Sequence, residues 1–336
     1  MYVLIYVDDI IITSSSTLVI DSLLCTLQSD FAVNDLGSLK FFLGVEVIPT
    51  EYGILLSQQC YIKDILTRTH MLEAKPLTSP MASTTSLSAF EGEPFPNHTL
   101  FKSTIGSLQY LSLTRLDIAF SVNKLAQFMH KPTLNHWQAV KCLLRYLKHT
   151  IQFGLQIYRS SCFTLQAFFV VDWVGNKDDR CSTGSFCVFL GKNLISWSCR
   201  KQATVARSRI EVEYKALANT ATELKWLQSL FEEIGLSIPT APILWRDNIG
   251  ATYLSSNPIF YARTKHVEID FHFVQDMVAN NTPNVRFIST HEIADVLTKP
   301  ISSSQFIQLN TKLNVLSIPL SLRGSVKDTS HLINNL

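Results

Sequence analysis

The chain has 336 residues, 46% of them hydrophobic, which is enough apolar material for two domains with separate cores. The formal net charge is only +2, so overall charge does not indicate nucleic-acid binding, and such binding requires a local basic face. Seven cysteines stand singly with no CxxC pair, which favours an intracellular protein, cytoplasmic or nuclear, over a secreted one. Asp8 and Asp9 interrupt the apolar N-terminus and no apolar run reaches about 18 residues, so neither a signal peptide nor a membrane span is predicted.

Two pairs of β-strands are predicted near the N-terminus. Residues 2–13 contain two runs of β-forming residues on either side of Asp8 and Asp9, a pattern typical of a hairpin with carboxylates at its tip. A second pair is predicted at 39–47 and 53–57, joined by a short turn.

A helix and a change of composition follow these strands. Residues 59–72 have helical periodicity, with Ile62, Ile65 and Leu66 on one side. The stretch 76–99 is rich in Pro, Ser and Thr, which is typical of a linker or a surface crossing.

The region 102–150 is helical in pattern, with a break near Lys131-Pro132. Within 140–148, one face carries the apolar residues Val140, Leu143, Leu144 and Leu147. Another face carries three basic residues, Lys141, Arg145 and Lys148. Two interpretations of this basic face stay open: a solvated helix surface, or a surface that contacts phosphates without choosing a sequence.

From residue 163 onwards the pattern changes to strands and helices that alternate. The predicted segments are strands at 163–173, 184–190 and 193–198, a helix at about 208–235, a strand at 241–247, helices within about 248–280, a strand at 285–290 and a helix from about 291. Three antiparallel strands followed by helix–strand alternation indicate a mixed α/β sheet of ribonuclease H type.

Asp8 and Asp9 are the first candidates for metal chemistry. Two-metal phosphoryl chemistry needs converging carboxylates, because two Mg²⁺ ions about 3.5–4 Å apart must be bridged by hard oxygen ligands. Paired aspartates at a hairpin tip, backed by apolar strands, meet part of that need. A solvent-exposed turn is the alternative interpretation.

The segment Tyr6-Val7-Asp8-Asp9 resembles the palm motif of reverse transcriptases, in which a Tyr-x-Asp-Asp hairpin holds catalytic metal. Further segments resemble Ty1/copia-type retrotransposon Pol polyproteins and occur in that family's order, namely 41–46 (FFLGVE), 56–58 (LSQ), 61–64 (YIKD) and 105–111 (IGSLQYL). The resemblance implies that Asp8 and Asp9 are catalytic and bind metal. It also implies a further Asp upstream, and since the chain starts five residues before Tyr6, we expect a palm remnant with exposed sheet edges and no polymerase activity.

Residues from about 165 to 305 resemble the ribonuclease H domain of the same family. The matching stretches include 182–184 (STG), 194–197 (LISW), 205–208 (VARS), 247–248 (DN), 263–266 (RTKH) and 294–300 (ADVLTKP). In that family four acidic residues, in the order Asp, Glu, Asp, Asp, bind the metal ions. The resemblance implies that Glu213, Asp247 and Asp295 are the last three catalytic and metal-binding residues, with Mg²⁺ as the cofactor.

Local patterns bear on two of these residues independently. Glu213 heads an apolar helical stripe that continues at Leu217, so its carboxylate needs a partner, and a metal ion is one option. Asp247 ends a predicted strand and precedes a predicted helix, so a helix N-cap is its alternative interpretation. Ser208 and Glu211 have capping-box spacing, which predicts a structural role for Glu211.

The first ligand position departs from the family pattern. The family has Ser-Asp-Ala-Asp-Trp where this chain has Phe-Val-Val-Asp-Trp at 169–173, so Val170 stands at the position of the first Asp. Asp172 shares a strand face with Val170 but lies about 6.6 Å further along. Catalytic groups must usually lie within about 0.5 Å of their productive position. Asp172 is therefore a candidate catalytic replacement that geometry disfavours, and Mg²⁺ binding is expected to be weakened.

The histidines do not indicate a zinc site. His130 and His136 have no cysteine or acidic ligand nearby, so ordinary helix-end roles are predicted for both. His291 is interpreted as a surface residue, with a proton-shuttling role as the alternative.

Together these patterns predict an α/β (α+β) protein with a mixed five-stranded ribonuclease H-like sheet. The predicted segments are a palm remnant at 1–75, a linker at 76–100, a helical thumb or connection region at 101–160, a ribonuclease H-like domain at 161–305 and a C-terminal tail at 306–336. Three functions stay open: a catalytically impaired relic, a weakly active ribonuclease H that cleaves RNA in RNA–DNA hybrids, and a module that only binds hybrid or duplex nucleic acid. The expected partners are nucleic acid and the remainder of the Pol polyprotein, with no membrane.

Overall fold

The computed structural model describes residues 1–82, 85–160, 162–206, 208–246, 273, 284–287, 297–298 and 303–317. The chain divides into two compact units. The first comprises Met1–Leu56 and Tyr158–Ala294, and the second comprises Ser57–Ile157 and Asp295–Leu336. Among the described residues, no helix has the length and apolar character needed to cross a membrane.

The hairpin predicted for residues 2–13 is confirmed in the first unit. Strands β1 (Tyr2–Tyr6) and β2 (Asp9–Thr13) pair antiparallel, with Tyr6 opposite Asp9. In the described part of the chain these two strands pair only with each other, and every residue of β1 is exposed. The following helix, α1 (Thr17–Asp30), has no buried residue. This region therefore presents apolar side chains and open strand edges.

Three short strands follow: β3 (Phe41–Phe42), β4 (Val45–Thr50) and β5 (Gly53–Ser57), which are neighbours in that order. The prediction of one strand over 39–47 is wrong, because the chain reverses between Phe42 and Val45. Leu43 and Gly44 form this turn with φ angles of 47° and 72°. Two consecutive left-handed residues are what a tight hairpin turn requires, and Gly44 adopts that conformation without steric cost.

The second unit is mainly helical, as predicted for 102–150. Its helices are α2 (Gln59–Arg68), α3 (His98–Leu111), α4 (Ala119–Ala126) and α5 (Leu134–His149). A 3₁₀ turn at Leu116–Ile118 precedes α4, and strand β6 (Phe153–Tyr158) follows α5. The predicted apolar faces of α2 and α5 are confirmed, because Ile62, Ile65, Leu66, Val140, Leu143, Leu144 and Leu147 are all buried.

The segment between α2 and α3, predicted as a linker, packs against this helical unit. Phe95 is buried and stacks on Trp137 of α5 with ring centroids 4.8 Å apart. The backbone N–H of Phe95 also donates to the carbonyl of Pro132 at 2.9 Å. The irregular backbone at this point is therefore fixed by an aromatic contact and by a hydrogen bond.

The ribonuclease H-like part of the first unit has the predicted mixed five-stranded sheet. Its elements are β7 (Leu165–Asp172), β8 (Thr183–Leu190), β9 (Asn193–Lys201), α6 (Arg209–Glu233), β10 (Ile243–Arg246) and β11 (Asn284–Phe287). The strand order is β11-β10-β7-β8-β9. Strands β7, β8 and β9 are antiparallel, whereas β10 runs parallel to both β7 and β11. The helices predicted within 248–280 and from 291 lie outside the described residues.

One hydrophobic core joins this sheet to α6. Leu165, Ala167 and Phe169 alternate along β7 and pack against Leu217 and Leu224 of α6. The alternate residues of β7 and the apolar stripe of α6 therefore pack together on one face of the sheet.

The C-terminal described segment belongs to the second unit. It forms α7 (Ser303–Lys312) and β12 (Val315–Ser317), and β12 pairs antiparallel with β6. Phe306 of α7 packs edge-on against Tyr146 of α5, with ring centroids 5.6 Å apart. The described part of the predicted C-terminal tail is therefore integrated into a folded unit.

Candidate functional site

Asp8 and Asp9 lie at the tip of the N-terminal hairpin, as predicted. Val7 and Asp8 form the two-residue turn between the paired residues Tyr6 and Asp9. Val7 has a φ of 49°, a left-handed conformation that is unusual for a β-branched residue and stores local strain. Asp8 and Asp9 are both exposed. The geometry presents two carboxylates to solvent on a strained turn.

Val170 lies in the middle of the sheet, where the family's first metal ligand is expected. It is 6% exposed and sits opposite Ser185 of β8. The Ser185 hydroxyl donates to the Val170 carbonyl at 3.4 Å. Because Phe169 faces α6, strand alternation directs Val170 to the opposite face of the sheet. The position is apolar, buried and unable to bind a cation.

Asp172 closes β7 opposite Thr183. Its carboxylate lies over Gly175, where an added Cβ would come within 1.6 Å of Asp172 Oδ2. The glycine at this point in the loop leaves room for the carboxylate in its observed position.

Glu213 lies one turn into α6 and is confirmed at the head of the buried stripe that contains Leu217 and Leu224. Its side chain is 6% exposed, and Arg209 Nε donates to Glu213 Oε1 at 2.8 Å. Arg209 was not predicted as a partner of Glu213, although the i,i+4 spacing of the two residues is typical of such a pair.

The start of α6 also contains the predicted cap. The Ser208 hydroxyl accepts from the backbone N–H of Glu211 at 3.2 Å. Glu211 then pairs with Lys215, whose Nζ lies 2.9 Å from Glu211 Oε1. These contacts support the structural role predicted for Glu211.

The other two acidic positions, Asp247 and Asp295, lie outside the described residues, as does His291. Within the described residues, no three His, Cys, Asp or Glu side chains are grouped so that they could hold a metal ion. Val170 supplies no ligand, and the Glu213 carboxylate is already bonded to a cation. The described residues therefore do not fit a two-metal centre.

The three basic residues of α5 differ in their surroundings. Arg145 Nε donates to the carbonyl of Lys75 at 2.6 Å, and the backbone N–H of Leu77 donates to the Arg145 carbonyl. Arg145 thus anchors the chain that follows α2. Lys141 and Lys148 are partly exposed on the same helix. The structure separates one anchoring residue from two lysines that remain candidates for phosphate contact.

His136 has the helix-end role that was predicted for it. Its Nδ1 accepts from the backbone N–H of Thr133 at 2.9 Å and completes a capping box at the start of α5. The ring is buried and stacks on Phe128 at 3.9 Å.

A buried charge network in the second unit was missed from the sequence. Arg115 forms two hydrogen bonds with Asp117, Nε to Oδ1 at 2.9 Å and Nη2 to Oδ2 at 2.7 Å. Arg115 Nη1 donates to the Thr150 carbonyl at 2.9 Å, and Tyr146 donates to Asp117 Oδ2 at 2.5 Å. Asn310 of α7 donates to the Tyr146 hydroxyl at 3.2 Å. The network joins α5, the 3₁₀ turn and α7 by polar contacts.

Comparisons with known proteins relate the chain to reverse transcriptases and to Pol polyproteins of transposons. The family model for reverse transcriptase (RNA-dependent DNA polymerase) matches residues 1–83. The chain is 42% identical over 328 residues to the retrovirus-related Pol polyprotein from transposon RE2 of Arabidopsis thaliana, which covers 97% of this chain and 22% of that protein. An uncharacterized mitochondrial protein of Arabidopsis thaliana is 45% identical over 226 residues, or 67% of this chain and 94% of that protein.

A solved structure shares the fold. The foamy viral protease-reverse transcriptase, solved in complex with an RNA/DNA hybrid, aligns with a TM-score of 0.51 at 13% identity, over 89% of this chain and 37% of that one. Fold and sequence thus define a protein of the reverse transcriptase and ribonuclease H class. The chain belongs to the family of retrovirus-related Pol polyproteins of Ty1/copia-type retrotransposons, and it spans 22% of the length of the transposon RE2 relative.

Proposed function

We propose that this chain is a reverse transcriptase/ribonuclease H portion of a Pol polyprotein whose ribonuclease H-like domain is catalytically impaired. The observation that carries the proposal is Val170, which is buried and apolar at the position of the first metal ligand. Asp8 and Asp9 are proposed as the palm carboxylates. Glu213, Asp247 and Asp295 are proposed as the remaining ligands of a weakened Mg²⁺ site, with Asp172 as a replacement for the first ligand that geometry disfavours.

The impairment follows from the chemistry that the metal supplies. A pair of divalent ions, when bound, stabilises the charge that develops on phosphate oxygens during cleavage. A carboxylate at the position of Val170 would supply an oxygen ligand and negative charge to hold such ions. A valine supplies neither, so Glu213, Asp247 and Asp295 would hold a divalent ion only weakly.

The test of this proposal is cleavage of a labelled RNA–DNA hybrid by the full chain, with Mg²⁺ or Mn²⁺. We expect the unmodified protein to cleave at background level and Val170→Asp to raise cleavage. Val170→Asn is the matched control, because asparagine has nearly the same shape as aspartate but no charge. It should restore much less cleavage than Val170→Asp. The proposal would be overturned if the unmodified protein cleaves the hybrid and Asp247→Asn abolishes that cleavage. This result would favour the weakly active ribonuclease H.

Nucleic-acid binding without chemistry is the second candidate function. It is supported by the two partly exposed lysines of α5, Lys141 and Lys148, and by the RNA/DNA hybrid bound to the foamy viral protein of similar fold. The proposed partners are hybrid or duplex nucleic acid and the remainder of the Pol polyprotein. The proposed location is inside the cell, in the cytoplasm or the nucleus.

Salt dependence distinguishes this binding from a solvated helix face. Lys141→Gln and Lys148→Gln should each reduce the slope of log affinity against log salt by about 1 if the lysine contacts a phosphate. Arg145→Gln is the contrasting variant, since its effect should be on stability through the lost anchor to Lys75. An unchanged slope in both lysine variants would count against the binding role.

A further inference from the structure

The ion pair between Arg209 and Glu213 distinguishes this site from a metal centre. Arg209 is the first residue of α6, and its side chain is 58% exposed. The Glu213 side chain is only 6% exposed, and Arg209 Nε lies 2.8 Å from Glu213 Oε1. The guanidinium thus reaches from solvent to a carboxylate that is otherwise enclosed by the core.

The pair is not explained by helix stability alone. Positive charge at a helix N-terminus is opposed by the helix dipole, and a cation placed four residues before an anion is the less favourable order. The neighbouring pair has the favourable order, because Glu211 precedes Lys215. Arg209 therefore occupies a poor position for the helix but a good one for neutralising Glu213.

A buried carboxylate needs such compensation. Removing an ionised carboxylate from water is costly unless a cation or a set of hydrogen bonds replaces the solvent. In a metal-binding site the divalent ions provide that compensation. Here Val170 disrupts the ligand set, and a side chain of the protein itself holds Glu213.

We propose that Arg209 is a built-in cation for the Glu213 carboxylate, so that this position is charge-balanced without a divalent ion and binds one only after the pair opens. This inference rests on the proposed assignment of Glu213 as a metal-site residue. It adds a second obstacle to catalysis that is independent of Val170, since a guanidinium at 2.8 Å repels a divalent cation that approaches the same carboxylate.

The experiment measures the thermal midpoint of the full chain with EDTA and with Mn²⁺ as the probe ion. The unmodified protein should show little Mn²⁺ response. Arg209→Gln removes the cation, so its midpoint should fall in EDTA and rise again with Mn²⁺ by about 2–4 °C, the shift expected for roughly one kcal/mol in a domain of this size. Arg209→Lys keeps the charge and should behave like the unmodified protein.

Lys215→Gln is the matched control, because it breaks an i,i+4 pair on the same helix that does not involve Glu213. It should show no added Mn²⁺ response. A response of Arg209→Gln equal to that of the unmodified protein would overturn the inference. So would a response that persists in the double variant Arg209→Gln/Glu213→Gln, since the ion would then bind elsewhere.

The hybrid-cleavage assay separates this inference from the proposed function. If the unmodified protein does not cleave and Arg209→Gln gains no Mn²⁺ response, the built-in cation is disproved while the impaired site stands. If the unmodified protein cleaves hybrid and its own midpoint rises with Mn²⁺, both are overturned.

Discussion

The two units of this protein each contain an arginine–carboxylate pair, and the two pairs differ in how deeply the arginine is buried. In the second unit Arg115 and Asp117 are both fully buried and share two hydrogen bonds. In the first unit Arg209 Nε donates to Glu213 Oε1, and the Arg209 side chain remains 58% exposed. The Arg115–Asp117 pair lies inside a core, and the Arg209–Glu213 pair lies between a core and solvent.

The difference separates a structural pair from one that is able to exchange partners. Arg115 is held by Asp117 and Thr150, and its guanidinium lies 5.7 Å from the ring centroids of Tyr146 and Phe153. Burial is the largest single influence and lowers the pKa of Arg115, but the charges and hydrogen bonds of Asp117 and Tyr146 together outweigh it and raise the pKa. Arg115 therefore keeps its charge, and the buried pair stays closed. The Arg209 side chain is accessible to solvent, so this pair is able to open.

The largest expected effect tests the structural pair. Arg115→Met leaves the buried Asp117 without its cation and should destabilise the second unit by about 3–5 kcal/mol. Urea unfolding followed by hydrogen exchange in α5 measures this loss. Arg68→Gln is the control: its pair with Asp64 is about half exposed on both sides, so it should cost less than about 1 kcal/mol. Equal losses in the two variants would show that burial does not distinguish these pairs.

Much of the fold was predictable because local pattern and tertiary packing agree. The alternation along β7 and the stripe on α5 both identified buried faces correctly, since each periodicity brings its apolar residues onto one side. The strand over 39–47 was predicted wrongly because a turn residue, Gly44, was read as part of a β run.

The polar interior was not predictable in the same way. Arg115 and Asp117 resemble ordinary charged residues between helices in the sequence. Their partners come from distant segments, namely Thr150 and, through Tyr146, Asn310. At the candidate site, Val170 was identified by its departure from a family pattern. Arg209 was not predicted as the partner of Glu213, because no family pattern drew attention to its position.

Packing around Asp172 provides a sharper test of the first unit. Gly175→Ala places a Cβ against the Asp172 carboxylate, so the side chain or the loop must move at a cost of about 2 kcal/mol. Gly106→Ala in α3 is the matched control in the other unit, because nothing lies within 4 Å of the added Cβ. It should stabilise by about 0.5–1 kcal/mol. Urea unfolding of the two variants should therefore give opposite signs, and a neutral Gly175→Ala would show that Asp172 moves freely.

The smallest expected effect concerns the alkaline stability of the second unit. Burial, followed by the charge of Asp117, raises the pKa of the Tyr146 hydroxyl above its usual range. An unfolded tyrosine loses its proton near pH 10, so the folded state binds more protons above that pH. The contribution of Tyr146 is therefore fully present below about pH 10 and is lost as pH rises, by up to about 1.4 kcal/mol per pH unit.

Tyr146→Phe removes both the titrating group and its hydrogen bond to Asp117. At neutral pH it should cost about 1.5 kcal/mol, the value of a hydrogen bond to a charged group. Above pH 10 the stability difference between the two proteins should shrink. The unmodified chain loses the contribution of the Tyr146 hydroxyl as pH rises, whereas the variant has no such hydroxyl to lose. Urea unfolding at pH 8, 10 and 11 measures the difference at each pH. A difference that stays constant would mean that Tyr146 titrates normally, and the buried network would then be more open to solvent than its hydrogen bonds indicate.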